Sequence, residues 1–401
     1  MLNRSMNMNL DRLKYLDELF TRMTKEGNRL KGCSFAIYKD DKKLMDGAYG
    51  TDSLNSIYKI YSMTKPITAV AALRLYEQGL IDMFDPVYEY LPAYKDVLVY
   101  KGEDKKGRPI LSEPSRPILV RDLFNMTSGL PYPGEWSYPE KEMQKVYDDL
   151  HQRAMNGEKM TNLSIINEWV KAPLLCEPGE RWIYGTSADV LAGIVEVVSS
   201  LTLGAYLKKY IFDPLNMKDT GFLVDRASSD RLATMYYFDD DTGVLRNATA
   251  HELVGLNEYA PFDPPFIESG GGGLYSTLKD YSKFARMLTN EGTFKGERIL
   301  SPQTVRFMSE NQLTGDQIKT IYFDSLVGYG YGNLTRTLIS PSERASNAPA
   351  GEYGWDGLAG TYFFVDPVYK ITYVFMQQIA QGGDESLRRR MKQIIYGSLE
   401  E

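Results

Sequence analysis

The chain has 401 residues, of which 43% are hydrophobic and 25% are charged, and its formal net charge at pH 7 is −7. The length allows two domains or one large one, and the composition is that of a soluble globular protein. The acidic balance argues against a nucleic-acid partner or an anionic membrane surface, because either would require a basic face. No apolar run reaches the roughly 20 residues of a membrane span.

The compartment is indicated by cysteine content and by the N-terminus. Two cysteines, Cys33 and Cys176, are too few for a disulfide framework and suit a reducing environment. Residues 1–27 have apolar side chains at helical spacing and lack the apolar stretch of a signal peptide. We therefore expect a cytoplasmic protein; the sequence does not indicate its oligomeric state.

The predicted elements run from strands to helices and back to strands. Residues 33–50 alternate and turn at the charged stretch 39–43, which predicts a β-hairpin. A helix over about 62–78 follows, ended by Gly79. From about residue 82 to 266, helical stretches are separated by loops containing proline and glycine, with a further hairpin near 235–249. After the glycine run 270–273 come another helix, several short β segments and a last helix near 386–399.

This order predicts an α+β fold in which one antiparallel sheet, flanked by helices, is built from both chain ends. A mainly helical domain is inserted between them. We place the sheet domain at residues 1–80 and 267–401, the helical domain at 81–266 and an active site in the cleft between the two.

Several common catalytic motifs are missing from the sequence. It contains no Walker-type phosphate loop, no H-E-x-x-H zinc pattern and no G-x-S-x-G elbow. The two histidines, His151 and His251, lie outside any recognisable motif, so nothing points to a Ser-His-Asp triad, although spatial assembly leaves one open. We expect no cofactor and no metal.

The pattern Ser-x-x-Lys occurs three times, at Ser56–Lys59, Ser62–Lys65 and Ser276–Lys279. Ser276 stands where the N-cap of a helix would be. Ser56 lies in an alternating, extended segment, where positions three apart face opposite sides. Ser62 alone opens a long helix, so the sequence predicts that Ser62 and Lys65 share one helical face.

That shared face suits nucleophilic catalysis. A serine hydroxyl becomes reactive when a neighbouring base takes its proton, and helix N-terminal amides stabilise a developing oxyanion. Lys65 could accept that proton if burial and nearby groups depress its pKa toward neutrality. Pro66 stiffens the first turn without losing a hydrogen bond. The alternative is an ordinary N-cap serine beside a solvated lysine.

Further segments resemble, in consistent order over most of the chain, the serine hydrolases related to class C β-lactamases, penicillin-binding proteins and family VIII carboxylesterases. The segments are YSMTKPITAVAALRLYEQGLIDMFDPVYEYLP, ILVRDLFNMTSGLP, EPGERWIYGTSADVLAGIVE, IFDPLNMKDTGF, SGGGGLYSTLKDYSKFARML, ILSPQTV and GWDGLAGTYFFVDP. The resemblance implies a β-lactamase/transpeptidase-like fold.

It also implies residue roles. Ser62 would be the acylated nucleophile and Lys65 its proton partner. Tyr184 matches the tyrosine of the family's Tyr-x-Asn motif, which acts with the lysine as general base and acid; the alternative is a packed aromatic in a chain with 29 tyrosines. The backbone N–H groups of Ser62 and Leu358 would form the oxyanion hole.

Two departures from the β-lactamases mark the predicted substrate-binding residues. Thr186 stands where β-lactamases have asparagine, and Trp355, Asp356 and Gly357 stand where they have Lys-Thr-Gly. Trp355 supplies no cation for the carboxylate of a β-lactam, and Asp356 would repel that carboxylate if it faces the cleft. The Trp-x-Gly pattern resembles family VIII esterases; alternatively, Trp355 is a packed aromatic at a sheet edge.

These arguments predict a serine hydrolase that works through an acyl-enzyme, best described as a carboxylesterase for small or short-acyl esters. Its partner would be a small-molecule ester or amide. Alternatives within the class are a D-aminopeptidase, a D-alanyl carboxypeptidase or a weak β-lactamase. An acyltransferase is a further possibility. A non-catalytic binding module is disfavoured because Ser62, Lys65 and Tyr184 are all present.

Overall fold

A computed structural model describes residues 6–25, 29–239, 241–249, 252 and 260–400 of the chain. In chain order its strands are β1 (Asn7–Met8), β2 (Gly32–Lys39), β3 (Lys42–Gly50), β4 (Ile57–Lys59), β5 (Val99–Glu103), β6 (Pro109–Ser112), β7 (Tyr236–Asp239), β8 (Val244–Asn247), β9 (Tyr275–Thr277), β10 (Thr293–Phe294), β11 (Glu297–Arg298), β12 (Tyr329–Gly332), β13 (Thr335–Leu338), β14 (Tyr353–Asp356), β15 (Tyr362–Asp366), β16 (Ile371–Met376) and β17 (Leu399–Glu400).

The helices of the described residues follow the same numbering by position. They are α1 (Leu10–Lys25), α2 (Thr64–Glu77), α3 (Val120–Phe124), α4 (Tyr138–Met155), α5 (Asn162–Glu168), α6 (Ser187–Ser199), α7 (Leu203–Leu207), α8 (Leu278–Thr289), α9 (Pro302–Ser309), α10 (Gly315–Ile318), α11 (Pro341–Arg344) and α12 (Glu385–Gly397). Short 3-10 turns connect several of them, and the turn at Tyr61–Met63 leads directly into α2.

The main sheet joins the two ends of the chain. Within the described part, seven antiparallel strands lie in the order β12-β13-β14-β15-β16-β2-β3. The N-terminal hairpin β2–β3 is added to the C-terminal strands through β16, with Phe375 opposite Phe35. The predicted hairpin and the predicted α+β class, with one sheet built from both ends, are confirmed.

Helices cover both faces of this sheet because side chains alternate along each strand. On one face, Phe20 of α1 stacks on Phe375 at 5.4 Å between ring centroids, and Tyr396 of α12 stacks on Phe364 at 5.8 Å. On the other face, Tyr281 of α8 contacts Phe363, the neighbour of Phe364, at 5.0 Å. The core therefore extends on both sides of the sheet.

Helix α2 lies in the interior of the molecule. Nearly all its side chains from Thr64 to Leu75 are buried, as expected for a helix that is apolar on every side. It contacts strand β14 of the sheet and helix α6 of the middle region. A residue at its N-terminus is therefore held between the sheet and the middle segment of the chain.

The middle segment, residues 81–266, contains helices α3 to α7 and the hairpins β5–β6 and β7–β8. The hairpin predicted near 235–249 is confirmed in its strands. The division into domains at residues 80/81 and 266/267 stays a prediction.

Among the described residues, no helix is by itself both long and apolar enough to cross a bilayer. The consecutive pair Ser187–Ser199 and Leu203–Phe212 meets the requirement jointly, with a bend of 74° between its members.

Candidate active site

Ser62 is presented by a tight turn between strand β4 and helix α2. Tyr61, immediately before it, has a φ of +44°, a left-handed conformation that is uncommon for a bulky residue. The Tyr61 side chain is buried, so its surroundings hold this conformation in place. The turn sets Ser62 at the start of the predicted helix, which is confirmed at Thr64–Glu77.

Lys65 points from the first turn of α2 back to Ser62. Its buried ammonium group donates hydrogen bonds to Ser62 Oγ at 3.1 Å, to the Tyr132 hydroxyl at 3.1 Å and to the carbonyl oxygen of Gly271 at 2.7 Å. Three acceptors match the three donors of an ammonium group. This geometry agrees with the predicted shared face of Ser62 and Lys65 and excludes the solvated lysine of the alternative.

The structure corrects the expected protonation of Lys65. Burial alone lowers the pKa of this lysine, but Tyr132, Tyr184 and the Asp189 carboxylate together outweigh burial and raise the pKa above its ordinary value. The condition that the sequence argument set for a lysine base, a pKa near neutrality, is therefore not met. Lys65 is a cation at physiological pH.

Tyr184 lies on the other side of the nucleophile. Its hydroxyl donates to Ser62 Oγ at 2.8 Å and accepts a hydrogen bond from the indole N–H of Trp355 at 3.2 Å. The Lys65 ammonium lies 4.7 Å from the centroid of the Tyr184 ring. The Tyr184 ring thus lies beside a cation, and its hydroxyl oxygen is bound by an N–H donor. Ser62, Lys65 and Tyr184 are thus brought together as the resemblance implied.

The glycine run 270–273 positions Lys65 and is itself held by Asp189, a carboxylate that was not predicted from the sequence. Asp189 in α6 accepts hydrogen bonds from the Ser269 hydroxyl at 2.6 Å and from the Gly271 N–H at 2.9 Å. A Cβ at Gly271 would lie 2.6 Å from Asp189 Oδ2, so close packing requires glycine there. Burial raises the pKa of the Asp189 carboxyl. Tyr132, the lysine's second phenol partner, was also missed, since nothing in its spacing marks it.

The backbone after strand β14 approaches the residues before Ser62. The Thr361 hydroxyl donates to the Ile60 carbonyl oxygen at 3.2 Å, and a Cβ at Gly357 would lie 2.4 Å from that same oxygen. Gly357 is therefore needed for close backbone contact. Within the described residues, neither the Ser62 N–H nor the Leu358 N–H donates to another backbone group. Both amides remain available for the predicted oxyanion hole.

Two cavities meet at Ser62, Tyr184 and Leu358, which line both of them. The lining of the first, of about 310 Å³, includes the apolar or aromatic residues Pro133, Tyr147, Pro265 and Ile267. The second, of about 400 Å³, is lined by Phe323, Leu326, Trp355, Asp356, Gly357 and Arg388. Two spaces that share a nucleophile can hold the two halves of a substrate.

Among the predicted substrate-binding residues, Trp355, Asp356 and Gly357 line the second cavity, but two side chains are engaged otherwise than expected. The Asp356 carboxylate lies 2.8 Å from the Arg388 guanidinium and 3.6 Å from that of Arg336. Its charge is therefore compensated, and the expected repulsion of a substrate carboxylate is not supported. Trp355 is 3% exposed, and its indole N–H donates a hydrogen bond to the Tyr184 hydroxyl.

Thr186 lies away from these cavities. The side chain is buried at the start of α6, and its hydroxyl donates to the Pro131 carbonyl oxygen at 3.3 Å. Thr186 is absent from the residues that line the two cavities. Its placement supports a structural role and gives no basis for the predicted substrate contact.

The other two Ser-x-x-Lys matches do not lie on a helical turn as Ser62 and Lys65 do, although Lys59 lines the first cavity. The predicted N-cap at Ser276 is wrong: the cap of α8 is Thr277, whose hydroxyl accepts from the Asp280 N–H, and Ser276 belongs to strand β9. The extended segment predicted after Ser56 is confirmed as strand β4. His151 stacks on Phe266, and His251 lies outside the described residues.

The comparison with known proteins agrees with this arrangement. A family model described as Beta-lactamase matches residues 16–396, so the chain belongs to the beta-lactamase family. The predicted family resemblance and fold are thereby confirmed.

Individual relatives extend over most of the chain. Protein Rv1367c of Mycobacterium tuberculosis is 32% identical over 334 residues, covering 81% of this chain and 78% of its own. Esterase EstB of Burkholderia gladioli is 27% identical over 343 residues, covering 82% and 79%. The solved structure of EstCE1, a hydrolase with promiscuous acyltransferase activity, superposes with a TM-score of 0.76 over 97% of this chain and 99% of its own, at 21% identity.

Proposed function

We propose that the protein is a serine hydrolase that forms an acyl-enzyme on Ser62 and acts on small carboxylic esters. The observation that carries this proposal is the convergence of Tyr184 OH, at 2.8 Å, and Lys65 Nζ, at 3.1 Å, on Ser62 Oγ where two cavities meet. The relative EstB, named as an esterase, supports ester chemistry within this family.

In the acylation step, Tyr184 in its phenolate form takes the Ser62 hydroxyl proton while Ser62 Oγ bonds to the ester carbonyl carbon. Lys65 and the Trp355 N–H stabilise the phenolate before this transfer. The carbonyl oxygen becomes an oxyanion that the Ser62 and Leu358 amides accept. When the tetrahedral intermediate collapses, the carbon–oxygen bond to the leaving alcohol breaks and Tyr184 returns its proton to that alcohol.

Deacylation follows the same steps with water as the nucleophile. Tyr184 takes a proton from the water molecule while the water oxygen bonds to the acyl carbon. The bond between Ser62 Oγ and the acyl carbon then breaks, and Ser62 Oγ regains the proton. Because Lys65 stays charged throughout, its role is electrostatic.

The cavities support an ester with at least one apolar half. In the first cavity, Pro133, Tyr147, Pro265 and Ile267 suit a hydrocarbon acyl or alcohol group. In the second cavity, the Asp356–Arg388 ion pair offers no uncompensated cation for a carboxylate. We therefore place neutral esters ahead of β-lactams and of D-alanyl peptide ends.

Acyl transfer to an alcohol is a second candidate. The two cavities could hold the acyl group and an acceptor alcohol on opposite sides of Ser62, and an alcohol can replace water as the deacylating nucleophile. EstCE1, which shares the fold, is described as a hydrolase with promiscuous acyltransferase activity.

The proposal is tested by labelling and by turnover. A fluorophosphonate should add once to the intact protein, and peptide mapping should place the adduct on Ser62. Ser62→Ala should lose both labelling and hydrolysis of a short-chain aryl ester, whereas Ser56→Ala should keep both. Adduct on another serine, or labelling that persists in Ser62→Ala, would overturn the proposal.

Turnover of three substrate classes then separates the alternatives. The wild type should hydrolyse the aryl ester faster than a chromogenic β-lactam or a D-amino-acid amide. Adding a short-chain alcohol to the ester assay should reveal transfer as a new ester product. Preference for the β-lactam or the amide would replace the esterase assignment by that activity.

A further inference from the structure

A recess rich in cationic side chains lies behind Asp356, between helix α12 and strand β13. We call it the arginine recess. Within the described residues it is lined by five cations and two carboxylates: Arg336, Arg344, Arg388, Arg389, Lys392, Asp356 and Glu385. A third carboxylate, Glu352, lies beside Lys392 and Arg336. The charges around the recess therefore leave an excess of positive charge.

Two guanidinium groups of the recess have donors without a partner. Arg336 is 3% exposed and Arg388 is 7% exposed. Neither Nη1 of Arg336 nor Nη2 of Arg388 makes a hydrogen bond with any described residue, although both atoms are buried. An unsatisfied buried donor is costly, and more so when it carries charge. These two donors are therefore available to a ligand that accepts hydrogen bonds.

The two carboxylates that line the recess are each paired with an arginine. Asp356 binds Nη1 of Arg388 at 2.8 Å and lies 3.6 Å from Nη1 of Arg336, which is too long for a hydrogen bond. Glu385 pairs with Arg344. Glu352 pairs with Lys392 through Oε2, and its Oε1 lies 3.8 Å from Nη2 of Arg336 without a hydrogen bond to a described residue. The surplus positive charge favours an anion over water as the partner of the two unpartnered donors.

The size of the recess limits that ligand. Its volume is about 20 Å³, which is room for a single water-sized species. We propose that the arginine recess is a binding site for a small inorganic anion of halide size, held by Arg336 and Arg388.

An anion bound in the arginine recess would affect the second cavity, because some residues line both spaces. Ser325, Leu326, Asp356 and Arg388 line both the recess and the second cavity at Ser62. An anion on the far side of Arg388 would hold its guanidinium, and with it the Asp356 carboxylate, in one position on the cavity wall. The site does not depend on the proposed ester hydrolysis.

Bromide provides a direct test on the wild-type protein. Crystals grown or soaked in NaBr should give an anomalous bromine peak within about 3.5 Å of both Arg336 Nη1 and Arg388 Nη2, the outer range of hydrogen-bond distances. In solution, NaCl and NaBr should raise the melting temperature saturably relative to sodium gluconate at equal ionic strength. At about ten times the dissociation constant we expect a rise of roughly 1–3 °C.

Two variants on the same helix give a matched comparison. Arg388→Gln should lose the halide-specific rise, whereas Arg390→Gln, which removes an exposed arginine that does not line the recess, should keep it. If Arg388→Gln fails to fold, the anomalous bromine peak in the wild-type crystal is by itself the test of the proposal. Equal melting temperatures in halide and gluconate without a bromine peak would overturn the proposal in favour of water. A rise in sodium acetate but not in halide would overturn it in favour of a carboxylate subsite.

Discussion

Among the described residues, Lys65 and Tyr184 donate hydrogen bonds to the Ser62 hydroxyl, and their chemistry separates their roles. Lys65 has its pKa raised by Tyr132, Tyr184 and Asp189 against the effect of burial, so it holds its proton. Tyr184 has a cation and the Trp355 N–H beside its oxygen. The base in the proposed mechanism is therefore the phenolate of Tyr184, and the lysine is its electrostatic support.

Removing that phenol oxygen should be costly. We expect Tyr184→Phe to lower turnover of a short aryl ester by roughly 10²-fold or more, the range of general acid–base catalysis. Lys65→Ala should have an effect of similar size, and the double variant less than the product of the two, because the groups act together. Tyr15→Phe, an exposed tyrosine, is the control. Near-normal turnover in Tyr184→Phe would return this residue to a packing role.

Asp356 gives a second prediction at the scale of one residue. Because Asp356 neutralises Arg388 at the wall of the second cavity, Asp356→Asn should expose a cation as well as remove a negative charge. The ratio of kcat/KM for a carboxylate-bearing ester to that for its neutral analogue should rise about tenfold, and less at high salt. Asp356→Asn combined with Arg388→Gln should return the ratio toward the wild-type value. An unchanged ratio in Asp356→Asn would show that this charge pair does not act on the substrate.

At the scale of elements, the site depends on how closely the glycine run packs against helices α2 and α6. The Gly271 carbonyl accepts from Lys65, and its N–H donates to Asp189. Thr68 of α2 donates to the Gly270 carbonyl at 2.8 Å, where a Cβ would lie 2.7 Å from Ala192 of α6. The loop backbone thus contacts both helices directly. Side chains in place of these glycines would prevent this close approach.

Two neighbouring glycines of this loop test the argument. Gly271→Ala puts a Cβ 2.6 Å from Asp189 Oδ2, whereas the Cβ of Gly272→Ala meets nothing closer than 3.8 Å. We expect Gly271→Ala to displace the carbonyl that holds Lys65 and to lower kcat at least tenfold. Gly272→Ala should stay near wild type in kcat and in melting temperature. Equal kcat values for the two variants would contradict the positioning role of Gly271.

At the scale of the whole molecule, stability rests on a sheet that draws on both chain ends and on polar groups buried within it. Asp366 ends strand β15, and its carboxylate accepts hydrogen bonds from the N–H groups of Val368 and Tyr369. Burial raises the pKa of Asp366 from 3.8 to about 6. The native state therefore binds this proton more tightly than the unfolded state does.

The sign of the resulting pH dependence follows from linkage. Between about pH 4 and 6 the unfolded state binds fewer protons at Asp366, so this group makes the free energy of unfolding fall as pH rises. Asp366→Asn keeps an acceptor oxygen and cannot ionise. As pH rises, the free energy of unfolding of Asp366→Asn should therefore decrease less than that of the wild type, by up to about 3 kcal/mol. Denaturant unfolding of both proteins from pH 4 to 7 measures the difference, and parallel curves would contradict the prediction.

Much of the architecture could be predicted because it depends on local pattern. Alternation and turn residues predicted the hairpin β2–β3, and a long apolar run behind Ser62 predicted helix α2. Their meeting in one sheet could be predicted from strand segments at both ends of the chain. The cap of α8 was misplaced by one residue, at Ser276 instead of Thr277, because both are good capping residues and only the backbone conformation distinguishes them.

The sequence by itself determined the nucleophile segment, since Ser62 and Lys65 lie one helical turn apart and their contact follows from helix geometry. The resemblance added Tyr184. Only the tertiary structure decided the surroundings of these residues: Asp189 behind Lys65, and Arg388 on Asp356. These partners come from distant parts of the chain, and each changes the charge that a catalytic or cavity group carries. Spacing along the chain determines which side chains share a helix face, whereas protonation and charge compensation depend on which distant groups the fold brings within a few ångströms.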